Sequence, residues 1–168
     1  MPDRYAVIGN PVAHSKSPEI HALFASETGQ DVEYGRLLAP LDGFDGTVRK
    51  FIEDGGKGLN VTVPFKFDAF NLAMELTSRA KMAGAVNTLA FKDGLIIGDN
   101  PDGAGLVADI TLNAGISLLN SRILLLGAGG AAYGVMLPLL DENPAFIHIA
   151  NRSVEKAEEL AKQFSSFG

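Results

Sequence analysis

At 168 residues, with 46% apolar and 20% charged side chains, the chain has the make-up of an ordinary globular protein, able to bury roughly 70% of the surface its unfolded form exposes. A net charge of −6 argues against a nucleic-acid surface, which needs a basic patch, and zero cysteines exclude disulfides and thiolate metal sites. No long apolar segment follows Met1-Pro2-Asp3-Arg4, so no signal peptide is expected.

The first run, Tyr5-Ala6-Val7-Ile8-Gly9, reads as a strand closed by the turn Gly9-Asn10-Pro11. A polar loop, Val12-Ala13-His14-Ser15-Lys16-Ser17, leads to Pro18. With Ser17 as cap and Glu19 in the first turn, a helix is expected over residues 18–28, ended by Gly29. The spacing of Ile20, Leu23 and Phe24 predicts one buried face. Residues 31–38 form a second strand. A second helix spans 42–54, with Phe44, Val48, Phe51 and Ile52 inward, and closes at Gly55-Gly56.

Gly58-Leu59-Asn60-Val61-Thr62-Val63 is the third strand; Pro64 ends it because proline cannot donate to the ladder. Helical residues are expected from Lys66 to about Met82. Two further strands, 85–91 and 95–98, flank Lys92-Asp93-Gly94, a hairpin turn with Asp-Gly at its centre. This order, β-α-β-α-β-α-β-β, makes a small α/β unit of about a hundred residues.

Asn100-Pro101-Asp102-Gly103 then opens a helix running to about Asn113 and stopped by Gly115. Residues 122–126 are a buried strand, followed at once by Gly127-Ala128-Gly129-Gly130-Ala131-Ala132 and a helix towards Leu140. Pro138 should kink that helix or end it early. Residues 146–150 make another strand, and 153–163 a helix exposing Glu155, Glu158 and Glu159. Residues 123–140 carry no charge over 18 positions, close to the lower limit for a membrane helix. Five interruptions, Gly127, Gly129, Gly130, Gly134 and Pro138, favour a strand, a turn and a helix instead. The expectation is a cytoplasmic α/β protein of two parts, 1–101 and 102–168, without membrane or nucleic-acid partners.

Chemistry gathers where strands pass into helices, because such turns are rigidly held and face a crevice. Asn60, Thr62 and Lys66 bring an amide, a hydroxyl and an ammonium to one such edge. That set suits a small polyhydroxylated molecule with a reactive carbonyl, although an ordinary turn with a surface lysine has the same letters. Lys66 and Asp102 are the ionisable candidates at these junctions. Ketone reduction needs a proton donor beside the hydride donor, and the reverse needs a base; a lysine serves both when its pKa is tuned towards ~7–8. Ser15 and Ser17 offer alternate hydroxyls for a carboxylate, with capping as the competing role of Ser17. His14 reads as structural or solvent-exposed.

Gly127-x-Gly129-x-x-Ala132 follows a strand and opens a helix, the context in which a glycine pattern signals a dinucleotide. Its turn lets backbone N–H groups and the positive helix end meet a pyrophosphate. A site for NAD would place a carboxylate at the tip of the next strand. Here the tip reads Asn151-Arg152-Ser153, with Lys156 one turn on. Arg152 can stack on adenine and bond a 2′-phosphate, and Lys156 adds a point charge, so NADP is expected. No metal site is expected.

Taken together these residues resemble the shikimate dehydrogenase family. The resemblance is carried by Ile8-Gly9-Asn10-Pro11 with His14-Ser15-Lys16-Ser17-Pro18, residues 58–66, and Ala83-Gly84-Ala85-Val86-Asn87-Thr88. It continues through Gly98-Asp99-Asn100-Pro101-Asp102-Gly103, residues 127–132 and Asn151-Arg152-Ser153. It implies an N-terminal α/β substrate-binding domain followed by the first half of a Rossmann-type NADP-binding domain. The implied reaction is NADP-dependent interconversion of 3-dehydroshikimate and shikimate, in aromatic amino acid biosynthesis. Lys66 and Asp102 resemble the catalytic pair, and Ser15 and Ser17 the residues holding the substrate carboxylate. Asn60, Thr62, Asn87 and Asp102 are similar to those bonding the ring hydroxyls, with Lys66 also touching substrate. Gly127, Ala128, Gly129, Gly130, Ala131, Asn151, Arg152, Ser153 and Lys156 resemble the NADP site. A quinate-using relative, a non-catalytic shikimate-binding module and a homodimer stay open.

Three departures accompany the resemblance. Pro101 stands where the family usually has Thr, and Asn100 is expected to cap the helix with Pro101 at its first position. Tyr133 stands where an arginine is usual. Family members are roughly half as long again, so a partial chain is expected, with an unpaired parallel edge at its last strand.

Overall fold

The computed structural model describes residues 1–167. They divide into two compact units: residues 1–77 with 86–99, and residues 78–85 with 100–168.

The first unit is built on a six-stranded mixed sheet in the order β2-β1-β3-β5-β6-β4. Its strands are β1 (Asp3–Gly9), β2 (Val32–Leu38), β3 (Gly56–Val61), β4 (Glu75–Leu76), β5 (Thr88–Lys92) and β6 (Leu95–Asp99). β1 runs parallel to both neighbours, while β5 is antiparallel to β3 and β6. Ala6, Val7 and Ile8 are all buried, as expected of a central strand covered on both faces. The Asp-Gly turn is present, with positive φ at Asp93 (52°) and Gly94 (78°) joining β5 to β6.

Three helices belong to this unit: α1 (Ser17–Thr28), α2 (Phe44–Glu53) and α3 (Lys66–Leu72). In α2, Phe44, Val48 and Phe51 are buried as their spacing predicts, while Ile52 is only half-buried. The expectation for α1 is corrected. None of its residues is buried, and Ile20, Leu23 and Phe24 lie on its outer side. Ser17, Pro18, His21 and Ala25 are the partly covered positions instead, a face of small and polar side chains that hydrophobicity alone does not mark. Ser17 is not the cap either: Lys16 holds that position and no side chain caps the helix. Ser17 is the first helical residue, and its hydroxyl is engaged elsewhere. Gly29 closes α1 in the left-handed conformation at φ 66°.

The continuous helix expected to Met82 is also corrected. Ala73 turns extended after α3, β4 adds an edge to the sheet beside β6, and a new helix, α4 (Ser78–Ala83), follows. The backbone N–H of Met74 donates to Ile96 and that of Thr77 to Gly98, so pairing with β6 outcompetes helix continuation.

The second unit holds α4, α5 (Asp102–Ala108), β7 (Arg122–Leu126), α6 (Gly130–Asp141), β8 (Phe146–Ala150) and α7 (Val154–Phe164). β7 and β8 form a two-stranded parallel sheet. Ile123, Leu125, Ile147 and Ile149 pack beneath α6 and α7 against Ala132, Met136, Leu139 and Leu160. Leu124, Leu126 and Phe146 are exposed. The helix that α5 begins continues as a π turn over Asp109–Asn113, and Gly115 stops it at φ 66°.

Two expectations in this unit change. Pro138 does not end α6, which runs on to Asp141. The proline frees the Gly134 carbonyl, and the backbone of Gly103 in α5 lies against that oxygen, where a Cβ would collide with it and with Pro138. Pro101, not Asn100, takes the cap position of α5. Asn100 is 2% exposed; its amide donates to the Ala85 carbonyl (3.1 Å) and accepts from the N–H of Asp102 (3.4 Å). The side chain satisfies the helix start from one residue further back.

Candidate substrate and nucleotide sites

In the first unit, the chain leaves the central strands at one end of the sheet, and there the predicted Asn60 and Asn87 are joined through Thr88. The β3 exit is held from three sides. Val61 N–H donates to Asn87 O (2.7 Å), Thr62 N–H to Ile8 O (3.0 Å) and Phe65 N–H to Thr62 O (3.0 Å). Phe65 is buried and stacks on Phe44 at 5.0 Å between ring centroids, a burial that contributes roughly 2 kcal/mol or more. That anchor fixes the turn and places Lys66, half-buried, as the first residue of α3. Val86 N–H donates to the Lys66 carbonyl (3.0 Å), joining this turn to the segment bearing Asn87. Gly9 is required here by space: a Cβ on it would sit 2.5 Å from the Thr62 methyl.

The side chains form two hydrogen-bonded groups, Ser15 with Ser17 and Tyr34 with Asn60, Thr88 and Asn87. The Ser15 hydroxyl donates to that of Ser17 (3.1 Å). Tyr34 O–H donates to Asn60 Oδ1 (2.6 Å), Asn60 Nδ2 to Thr88 Oγ1 (3.4 Å), and Thr88 O–H to Asn87 Oδ1 (2.8 Å). Burial pushes the Tyr34 phenol up to about 12, against the smaller downward pull of Ser17. Arg36, next but one along β2, donates from Nη2 (2.6 Å) and Nε (3.0 Å) to the Ser15 carbonyl and bonds Glu19. A backbone hydrogen bond and Arg36 hold the Glu19 carboxyl below its usual value. His21 stacks on Tyr34 at 4.0 Å. His14, as expected, is exposed.

Sequence reasoning picked Ser15, Ser17, Asn60 and Asn87 but missed Tyr34, Arg36 and Thr88, which tie them together. The signal was present: Val32, Tyr34 and Arg36 alternate along β2 and so share one face. A cleft of about 520 Å³ lined by Arg4, Glu33, Arg36, Lys50 and Asp54 includes none of the predicted residues.

The second unit contains the glycine turn and Asp102. Asp102 is exposed in the first turn of α5. β7 and β8 end side by side, Leu126 pairing with Ala150, and Gly127 N–H donates to Ala150 O (2.8 Å). Gly127 has φ 112°, a conformation that side chains other than glycine's rarely adopt. Gly129 caps α6 in an extended conformation, and no side chain makes a cap hydrogen bond to it. Where Cβ atoms would stand on Gly127 and Gly129 there is open space. Asn151 Nδ2 donates to Ser153 O (2.8 Å), closing the turn after β8 so that Arg152 and Lys156 project exposed. Free helix N–H groups, open backbone and two cations without a carboxylate fit a phosphorylated dinucleotide. Tyr133 is half-buried in the cluster of Ala128, Ala132, Met136, Leu160 and Phe164; burial and then Glu159 raise its pKa. Among the described residues no cluster suits a metal ion, and no helix is long and apolar enough to cross a membrane.

Two family models match in chain order. Residues 7–89 match the shikimate dehydrogenase substrate binding domain, and residues 108–167 match shikimate / quinate 5-dehydrogenase. The chain belongs to the shikimate dehydrogenase family. Among its relatives are a shikimate dehydrogenase (NADP(+)) of Janthinobacterium sp. (strain Marseille), 61% identical over 97% of this chain and 60% of that protein, and one of Nitrosospira multiformis, 61% identical over 100% of this chain and 61% of that one. A solved shikimate 5-dehydrogenase of Thermus thermophilus, in complex with NADP(H) and shikimate, superposes with a TM-score of 0.89 at 32% identity. It covers 97% of this chain and 61% of that one. The chain thus spans about 60% of the length of the family members it matches.

Proposed function

We propose that this chain takes part in the NADP-dependent interconversion of 3-dehydroshikimate and shikimate, with residues 1–101 binding substrate and 102–168 forming the first part of the nucleotide domain. The observation that carries the reading is the hydrogen-bonded set of Tyr34, Asn60, Thr88 and Asn87, together with the Ser15–Ser17 hydroxyl pair on the loop that Arg36 grips. It is a compact array of hydroxyls and amides suited to a carboxylated, hydroxylated ring. Ser15 and Ser17 hold the carboxylate; Asn60, Thr62, Asn87 and Asp102 bond the ring hydroxyls. In reduction, the Lys66 ammonium gives its proton to the ketone oxygen, and the neutral amine takes it back from the alcohol in the reverse direction.

NADPH, when bound, supplies the hydride that adds to the ketone carbon. Gly127, Ala128, Gly129, Gly130 and Ala131 would hold its pyrophosphate, and Asn151, Arg152, Ser153 and Lys156 its adenosine 2′-phosphate. A cytoplasmic biosynthetic setting and a homodimer belong to the same proposal; sedimentation velocity reads the second.

The test is calorimetric titration of the purified chain with shikimate and NADP⁺, followed by an assay of shikimate-dependent NADPH formation. Saturable binding of both with turnover is the expected result for the enzyme. Binding without turnover favours a shikimate-binding module, a reading to which the 60% span of the relatives lends weight. Absence of shikimate binding overturns both. Turnover of quinate in preference to shikimate would move the assignment to the quinate branch, with Ser15 and Thr62 the positions to examine.

A further inference from the structure

The donor and acceptor sense of the network can be followed atom by atom. Tyr34 O–H must donate, because the carbonyl oxygen of Asn60 at 2.6 Å has only lone pairs to offer. That places the Asn60 carbonyl towards Tyr34 and its NH₂ towards the other side, where one hydrogen goes to Thr88 Oγ1. Thr88 then spends its own hydrogen on Asn87 Oδ1. The bonds therefore run in one direction, from Tyr34 through Asn60 and Thr88 to Asn87. Both asparagine carbonyls are consumed inside the protein, and the N–H groups that the chain does not use are the second of Asn60 and the pair on Asn87.

We propose that Tyr34 is the positioning residue of the substrate site: through Asn60 and Thr88 it holds the amides of Asn60 and Asn87 with N–H groups outward, so that these two side chains bind hydroxyl oxygens as acceptors. The inference rests on the function proposed above and adds to it a polarity. Tyr34 touches no substrate; it acts through Asn60. The raised phenol pKa keeps the hydroxyl protonated, and so able to donate, throughout the neutral range. Its ring is clamped by His21 at 4.0 Å, and the Nδ1 of His21 lies 2.8 Å from the Ser17 carbonyl, so the donor is fixed from the same helix that carries Ser17. Tyr34, Asn60 and Thr88 also line a cleft of about 500 Å³ between α1 and the sheet. Loss of the phenol hydrogen would leave the Asn60 carbonyl free to rotate outward and offer an acceptor where the substrate needs a donor.

Three substitutions at two positions test this. In Tyr34→Phe, heteronuclear NMR of the side-chain amides should show altered shifts and faster hydrogen exchange for both Asn60 and Asn87, with backbone dispersion retained. Because Asn87 lies two hydrogen bonds beyond Asn60, a purely local packing role would leave its signals in place. Shikimate affinity of the same variant should fall about tenfold, and in any turnover assay KM should rise while kcat changes little. Thr88→Val should reproduce the Asn87 changes and Thr88→Ser should restore them, which keeps the test sharp if Tyr34→Phe fails to fold. Unchanged Asn60 and Asn87 amide signals in Tyr34→Phe, or a Thr88→Val variant indistinguishable from Thr88→Ser, overturn the proposal. Failure of the unmodified chain to bind shikimate overturns the functional reading instead, since the amide signals are measured without ligand.

Discussion

Arg36 reaches from β2 to the backbone carbonyl of Ser15 with two donors, Nη2 at 2.6 Å and Nε at 3.0 Å, while the same Nη2 lies 2.8 Å from Glu19. A rigid strand thereby grips the loop that presents Ser15 and Ser17. The planar fork matters, because both nitrogens share one acceptor and a lysine ammonium cannot reproduce that geometry. Arg36 is about one-third exposed and Glu19 more so, so the ion pair itself contributes little. The bond to the carbonyl is the part that orders the loop.

Arg36→Ala is accordingly expected to cost about 1 kcal/mol in urea unfolding, with a larger effect on the site than on the fold. Hydrogen exchange should accelerate at residues 12–17, and shikimate affinity should drop about tenfold. Arg36→Lys should recover stability more than affinity. If loop protection is unchanged in Arg36→Ala, the arginine is a surface charge and not a clamp.

Lys66→Ala addresses the proton transfer. In an assay of shikimate-dependent NADPH formation the variant should lose about 10²–10⁴ in kcat with KM little changed. Phe65 is the buried anchor of this turn, so truncating the lysine should leave the melting temperature close to that of the parent. A variant retaining near-normal kcat would remove Lys66 from the mechanism.

How far the sequence could be read depended on how local the deciding interaction was. The strands, the Asp93-Gly94 hairpin and the glycine turn were legible because alternation, turn chemistry and left-handed glycine positions act within a few residues. The buried face of α1 was not, because the helix rests on Pro18, His21 and Ala25 and turns Ile20, Leu23 and Phe24 outward. Nor was the break after Leu72, which is set by pairing of Glu75 and Leu76 with a strand some twenty residues later. The same limit applies to the site. Ser15, Ser17, Asn60 and Asn87 were found through motifs. Tyr34 and Thr88, which bond the two asparagines, became visible only once β2, β3 and β5 were set side by side.

The Tyr34 phenol also predicts a pH dependence. Its pKa is raised from 10 to about 12 in the fold, so between those values the unfolded chain has lost a proton that the folded chain keeps. The unfolded state then binds fewer protons, and stability falls as pH rises. The contribution is complete below pH ~10 and lost as pH passes through about 12. Chemical unfolding followed from pH 9 to 12 should show a steeper alkaline decline for the parent than for Tyr34→Phe. Parallel curves would mean that Tyr34 ionises as readily in the fold as outside it.

The last prediction separates the two nicotinamide dinucleotides. Arg152 and Lys156 are exposed cations at the start of α7, and Asn151 turns its amide inward to Ser153 O instead of offering a carboxylate to a ribose. An Arg152→Gln change removes a bidentate phosphate partner but leaves the Gly127 turn and the α6 start intact. NADP⁺ affinity should therefore fall about 10–100-fold, equivalent to about 1.4–2.8 kcal/mol, while the weaker NAD⁺ affinity stays nearly constant. Lys156→Gln should have a smaller effect of the same kind, because it acts as a point charge on a flexible stem. Raising the salt concentration should weaken NADP⁺ binding more than NAD⁺ binding, and Arg152→Gln should remove most of that difference. Equal losses for both dinucleotides would place Arg152 against the adenine ring or the pyrophosphate, and the preference for the 2′-phosphate would then have to come from another residue.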